Sequence, residues 1–90
     1  MEDNTVFVGK KNTMSYVFSV QEQSINFKEI HIKARGRSIS QAVDVCQVSI
    51  HRFLTGWEIK EVNISTELRE REDKAMDRVS VIDIVINKVG

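Results

Sequence analysis

The chain has 90 residues, 41% of them apolar and 29% charged, with 13 cationic side chains against 13 anionic ones. That is the composition of a soluble globular domain, and a chain this short gains buried area most readily by pairing with a second copy. Zero net charge excludes an indiscriminate polyanion binder, and no apolar run approaches the roughly 20 residues that span a bilayer.

One domain covering residues 1–90 is expected. The lone Cys46 lies in an apolar helical pattern, which excludes an intrachain disulfide and points to a reducing compartment. The start, Met1-Glu2-Asp3-Asn4, is acidic and unlike a signal sequence, so a cytoplasmic protein without membrane association is expected. Charge is unevenly spread. Residues 1–8 carry −2, residues 9–37 carry +4 and residues 38–90 carry −2.

Thr5-Val6-Phe7-Val8 is β-branched and aromatic and stops at Gly9, which predicts a first strand. Lys10 and Lys11 occupy the turn that follows, and Asn12 or Thr13 is the expected N-cap of a helix. Met14, Val17, Phe18 and Ile25 form its apolar stripe. From Lys28 the pattern alternates, with Ile30, Ile32 and Ala34 facing a core and Glu29, His31, Lys33 and Arg35 facing away. Gly36 permits a turn, and Ser38 with Gln41 fits a capping box. A second helix is predicted to run to about Leu54, with Ile39, Ala42, Val43, Cys46, Ile50 and Phe53 on one stripe and Val45 and Val48 off it. An apolar surface that broad points to a partner subunit.

Thr55-Gly56 stops that helix, and Trp57 to Ile64 predicts a third strand with a bulge between Ile59 and Val62. Thr66 to Arg78 holds nine charges in 13 residues and reads as a long charged loop. The fourth strand, Arg78 to Ile86, is apolar on both faces, with Val79, Val81 and Val85 placed toward a dimer interface. The order β-α-β-α-β-β predicts an α+β fold of two layers. A four-stranded mixed sheet carries both helices on one face, and its last two strands form a long hairpin.

The cations suggest a function. Lys33 and Arg35 share one strand face and Arg37 follows just past the turn. Three cations at one sheet edge repel one another unless an anion lies against them. Lys10 and Lys11 sit near a helix N-terminus, which also favours anions. Chemistry is not indicated. His31 and His51 lack metal-ligand spacing, and Asp44 and Asp83 are single acids in apolar patterns. No catalytic residue, metal or cofactor is expected.

An ordered set of motifs sharpens this reading. Gly9-Lys10-Lys11, Tyr16-Val17, Ile32-Lys33-Ala34-Arg35-Gly36-Arg37-Ser38-Ile39-Ser40, Ala42-Val43-Asp44, Arg52-Phe53-Leu54, Glu58-Ile59-Lys60 and Arg78-Val79-Ser80 follow one another in register. In this the chain resembles the Alba family of archaeal chromatin proteins, from about Thr5 to Lys88. The resemblance implies a dimer that binds double-stranded DNA, and often RNA, in a nucleoid. It implies nucleic-acid contacts from Lys10, Lys11, Lys33, Arg35 and Arg37, and from the hairpin residues Arg69, Arg71, Lys74 and Arg78. It further implies dimer–dimer contacts through Phe53 and acetylation at Lys10 or Lys11. An RNA-binding protein using the same surface is the alternative.

The chain departs from that family's pattern in identifiable places. It is neutral where members are usually basic. Asn12 stands where proline is common, Gln41 where lysine is common, and Ile50-His51 where polar or basic residues are frequent. The segment Thr66 to Arg78 has four cations and five anions. Weaker binding than that of basic members is therefore expected, with some sequence preference.

Overall fold

A computed structural model describes residues 4–89. The elements run β1 (Thr5–Val8), α1 (Thr13–Ser24), β2 (Glu29–Arg35), α2 (Ile39–Val48), β3 (Trp57–Glu70) and β4 (Met76–Lys88). A 3₁₀ turn, Gly36–Ser38, leads into α2, and a π-helical turn, Ser49–Phe53, leaves it. The sheet order is β1-β2-β4-β3, with β1 and β2 parallel and the other two pairings antiparallel. This is the mixed four-stranded sheet that the element order predicts.

Alternation decides the layers. Val6 and Val8 of β1, Ile30, Ile32 and Ala34 of β2, and Ile82, Ile84 and Ile86 of β4 are buried on one face. They join Val17 and Val20 of α1 and Ala42, Val45 and Cys46 of α2 in one core. The opposite face is open, and on it lie Phe7, Glu29, His31, Lys33 and Arg35. Burying an isoleucine or valine stabilises the fold by about 1.5–3 kcal/mol, so the face that pairs Ile30 with Ile86, Ile32 with Ile84 and Ala34 with Ile82 sets the register.

Both helices sit in a different rotation from the predicted one. In α1 the buried residues are Tyr16, Val17 and Val20, while Phe18 is exposed and Ile25 lies beyond the helix. Tyr16 has a polar tip, so an apolar count overlooks it. In α2 the buried residues Ala42, Val45 and Cys46, continued by Ser49, follow the i, i+3, i+4, i+7 spacing, and Val43 faces out. Ser49 is fully buried, and its polarity hides this register in the sequence. The π-helical turn then adds a residue, with the Leu54 N–H donating to the Ser49 carbonyl at 2.8 Å. It places Leu54 in the core and leaves Phe53 exposed.

Asn12 caps α1 as expected, its side-chain oxygen accepting from the Ser15 N–H at 2.9 Å. The Ser38–Gln41 capping box does not form. Ser38 has helical backbone angles and makes no side-chain capping bond, while Gln41 is engaged elsewhere.

The predicted bulge is present as a register shift between Ile59 and Glu61. The predicted charged loop is instead mostly strand. β3 and β4 stay paired out to Glu70 and Met76, forming an arm that helps stretch the molecule to 49 Å along its longest axis. Its tip is a turn in which the Lys74 N–H donates to the Arg71 carbonyl at 2.8 Å. Lys74 takes the left-handed φ of 66° there, and the Asp73 carboxylate accepts from the Ala75 N–H at 3.0 Å. The ladder satisfies the backbone without any core, which side-chain periodicity cannot reveal.

The two-sided apolar reading of β4 also changes. Val85 is already buried within the chain, and Val79 and Val81 are half-buried. The unfilled apolar surface lies instead on β3, where Val62 and Ile64 pair with Ile84 and Ile82 and share their face of the sheet. Val62 is 52% and Ile64 80% exposed.

Candidate nucleic-acid interface

Parallel pairing of β1 with β2 aligns Val8 with Ala34, so both strands end at the same edge of the sheet. The loop after β1 carries Lys10 and Lys11, and the 3₁₀ turn after β2 carries Arg37. Residues 27 positions apart in sequence thereby become neighbours: Lys10 and Arg37 line one shallow cleft with Ser38, Ser40, Gln41 and the acid Asp44, which makes no ion pair with either. All three cations are exposed.

The loop is held by two side chains from different helices. The Tyr16 hydroxyl accepts hydrogen bonds from the Gly9 N–H at 2.9 Å and the Lys11 N–H at 3.0 Å. The Gln41 amide nitrogen donates to the Gly9 carbonyl at 2.7 Å and the Lys11 carbonyl at 2.8 Å. Neither residue stands out in the sequence as a site by its chemistry: Tyr16 lies in a family motif, and Gln41 fits a capping box and stands where lysine is common.

Gly36 turns the chain with φ 53°, a conformation that favours glycine, and so separates Arg35 from Arg37. Lys33 and Arg35 lie on the open face of the sheet, around the edge from the loops. Lys33 stands between Phe7 on β1 and Asp83 on β4. Phe7 is 65% exposed beside it. The Arg35 guanidinium is engaged, its Nε 2.9 Å from Glu67 Oε1 on β3. Among the described residues, Lys10, Lys11, Lys33 and Arg37 enter no ion pair.

Farther along the open face, charges are matched. The Lys60 ammonium lies 2.8 Å from Glu29 and holds that carboxyl below its usual range, while Glu29 raises Lys60 in turn. His31 Nδ1 is 3.0 Å from Asp83 Oδ1. Among the described residues no group of His, Cys, Asp and Glu is arranged to hold a metal ion.

The arm leaves the body beside the edge turn, where Val79 packs against Gly36, but its cations are not brought to one face. Arg69 stands opposite Asp77 in the ladder, and Arg78 opposite Leu68 on the other side. At the tip, Arg71 lies between Asp73 and Asp77, at 3.5 and 3.6 Å. Phe53, 39% exposed, follows α2, which starts at the loop edge, and so lies toward the far end of the sheet.

The sequence pattern of the Alba family matches residues 4–66. The chain belongs to the Alba family. Its match ends where the arm leaves the body, so the clamped loop and the second-strand motif fall inside it and the charged arm outside. A relative named "DNA/RNA-binding protein Alba" from Methanothrix thermoacetophila is 48% identical over 88 residues, covering 97% of this chain and 98% of that one. "DNA/RNA-binding protein Alba 1" from Archaeoglobus fulgidus is 44% identical over 89 residues, with 98% and 99% covered. The solved structure of Alba from Thermoplasma volcanium superposes with a TM-score of 0.86 at 40% identity, covering 94% of this chain and all of that one. The ALBA1 structure from Trypanosoma brucei shares the fold at a TM-score of 0.75 and 22% identity. Among the described residues, no helix of this Alba family member is long and apolar enough to cross a membrane.

Proposed function

We propose that the chain works as a homodimeric, chromatin-type protein that binds double-stranded DNA through phosphate contacts from Lys10, Lys11, Lys33 and Arg37. The observation that carries this reading is the meeting of two cation-bearing loops at one sheet edge, where Lys10, Lys11 and Arg37 enter no ion pair among the described residues. Relatives at 44–48% identity named DNA/RNA-binding proteins support it. Contacts of this kind position a protein on the duplex and dominate affinity without reading sequence. If about four phosphates are neutralised at once, log K falls against log salt with a slope of about −3.6.

Arg35 joins this set when phosphate displaces Glu67. Arg69, Arg71, Lys74 and Arg78 contribute less, because the arm carries more anions than cations. With no net charge to draw DNA from a distance, binding is weaker than in a basic member, and duplex shape takes a larger share of selectivity. Acetylation of Lys10 or Lys11 would remove one of the free charges. Association with the nucleoid follows from the same contacts.

The dimer is supported by the exposed stripe on β3, where Val62 and Ile64 are left uncovered by the described residues. Ile64→Asp is expected to convert a dimer to a monomer in sedimentation equilibrium. Phe53 makes the contact between neighbouring dimers, a reading supported by its exposure.

Gel shifts on several duplexes and one RNA of matched length, at about 50 and 200 mM salt, test the reading. Salt-indifferent tight binding would overturn the phosphate model. A second reading, RNA as the main ligand, draws on the exposed Phe7 beside Lys33, where an unpaired base could stack. Preference for the RNA in the same gels selects it.

A further inference from the structure

We infer that Tyr16 and Gln41 are positioning residues of the interface, clamping the Gly9–Lys11 backbone so that Lys10 and Lys11 meet phosphates in one arrangement, in register with Arg37. The inference rests on the reading of Lys10 and Lys11 as phosphate contacts and explains how a chain with no net charge makes them count.

The hydrogen bonding engages the N–H and the carbonyl of both Gly9 and Lys11. The Gly9 and Lys11 N–H groups both donate to the Tyr16 hydroxyl, filling the two lone pairs of its oxygen. The Gly9 and Lys11 carbonyls both accept from the Gln41 amide, using both of its N–H groups. The Thr13 hydroxyl lies 3.5 Å from Gln41 Oε1 and supports that orientation of the amide. Tyr16 and Gln41 thus bind the same two residues, one through donors and the other through acceptors.

Placement makes the clamp stiff. Tyr16 is anchored in the core by α1, only 9% exposed. Gln41 stands in the first turn of α2, four residues after Arg37, so tying the loop to Gln41 fixes Lys10 relative to Arg37. The close approach depends on glycine: a Cβ at Gly9 would lie 3.3 Å from the Tyr16 oxygen. A residue serving only α2 would cap its start, yet Gln41 directs both donors to a surface loop that contributes no core side chain.

The energetic consequence follows from preorganisation. A glycine and two lysines in a free loop would have to be ordered on binding, and affinity falls by the fraction of time the loop spends elsewhere. With no long-range attraction to compensate, that fraction weighs more here than in a basic protein.

Gln41→Met removes both donors at nearly constant length and unchanged charge, and Tyr16→Phe removes the acceptor. Three measurements are made on each folded variant: thermal melting, amide exchange at Gly9 and Lys11, and affinity for a short mixed-sequence duplex across about 50–200 mM salt. Gln41→Met should melt close to the parent, bind roughly fivefold more weakly at low salt, and show a shallower salt slope. Tyr16→Phe should expose the Gly9 and Lys11 amides to faster exchange, with a similar loss. A merely structural role would shift melting and leave the salt slope of the folded protein unchanged. Parental affinity and slope in both variants would overturn the clamp. Should Tyr16→Phe fail to fold, Gln41→Met, at the surface, decides. The Lys10→Ala/Lys11→Ala double variant is run in parallel. If it alone loses binding, the clamp fails and the interface stands; if it too binds as the parent, the interface reading fails and takes the clamp with it.

Discussion

The loop edge and the arm carry comparable numbers of cations, five against four, and hold them in different ways. Lys10, Lys11 and Arg37 at the edge, and Lys33 on the open face, enter no ion pair among the described residues, and the loop that carries Lys10 and Lys11 is fixed by four hydrogen bonds to its backbone. In the arm, five acids are interleaved with the cations, and the strand alternation sends Arg69 and Arg78 to opposite faces. Arg71 is bracketed by Asp73 and Asp77. A count of positive residues therefore ranks the two regions as near equals, while free charge on a single edge ranks them far apart. Exposed ion pairs stabilise the arm by no more than about 0–1 kcal/mol each, yet each one lowers the potential that a phosphate would meet.

The largest effect tests that ranking directly. Lys10→Ala/Lys11→Ala is expected to weaken duplex binding about tenfold or more at low salt and to make the salt slope less negative by about two, whereas Arg69→Ala/Arg78→Ala should cost about twofold. Equal losses in gel shifts would erase the distinction. A gain of function comes next. Asp73→Asn/Asp77→Asn releases Arg71 and shifts the arm by two charges, and affinity should rise about two- to threefold by fluorescence anisotropy. Smaller still is Glu67→Gln, which frees Arg35 on the open face and should strengthen binding by no more than about twofold. The core of the body should be indifferent to all of these changes.

That core has its own pH signature. Burial pushes the Cys46 thiol from 9.0 up to about 11. Because the folded value is the higher one, the stabilisation from the neutral thiol is complete below pH 9 and is lost as pH rises through 11. Chemical denaturation of the parent and of Cys46→Ala across that window should differ in the slope of stability against pH by on the order of 1 kcal/mol per pH unit. Identical slopes would mean that the thiol is open to solvent.

Much of the body was legible in the sequence because it obeys one-sided burial. The β2 alternation Ile30, Ile32, Ala34 names its own inner face, and Asn12 caps α1 through a bond to Ser15, three residues away. The stop at Gly56 and the bulge after Ile59 are also local events. Where the reading failed, the deciding contact was distant or the chemistry misleading. Ser49 occupies a core position that a hydrophobic count assigns elsewhere, and the π-helical turn shifts every residue behind it. The arm shows no alternation of apolar and polar residues, since its strands are paired by backbone alone and face water on both sides.

The sequence by itself thus determined the element order, the core face of the sheet, the family and the five cations of the edge, since each follows from neighbours within a few positions. Only the tertiary structure decided which cations are available. Arg35 is claimed by Glu67, 32 residues on, and Arg71 by the acids of the opposite strand and the tip. The Lys10–Lys11 loop owes its fixed shape to Gln41, 30 residues after Lys11. Free charge depends on which groups come within about 4 Å, and that distance is set by strand pairing and helix packing, which no local pattern encodes.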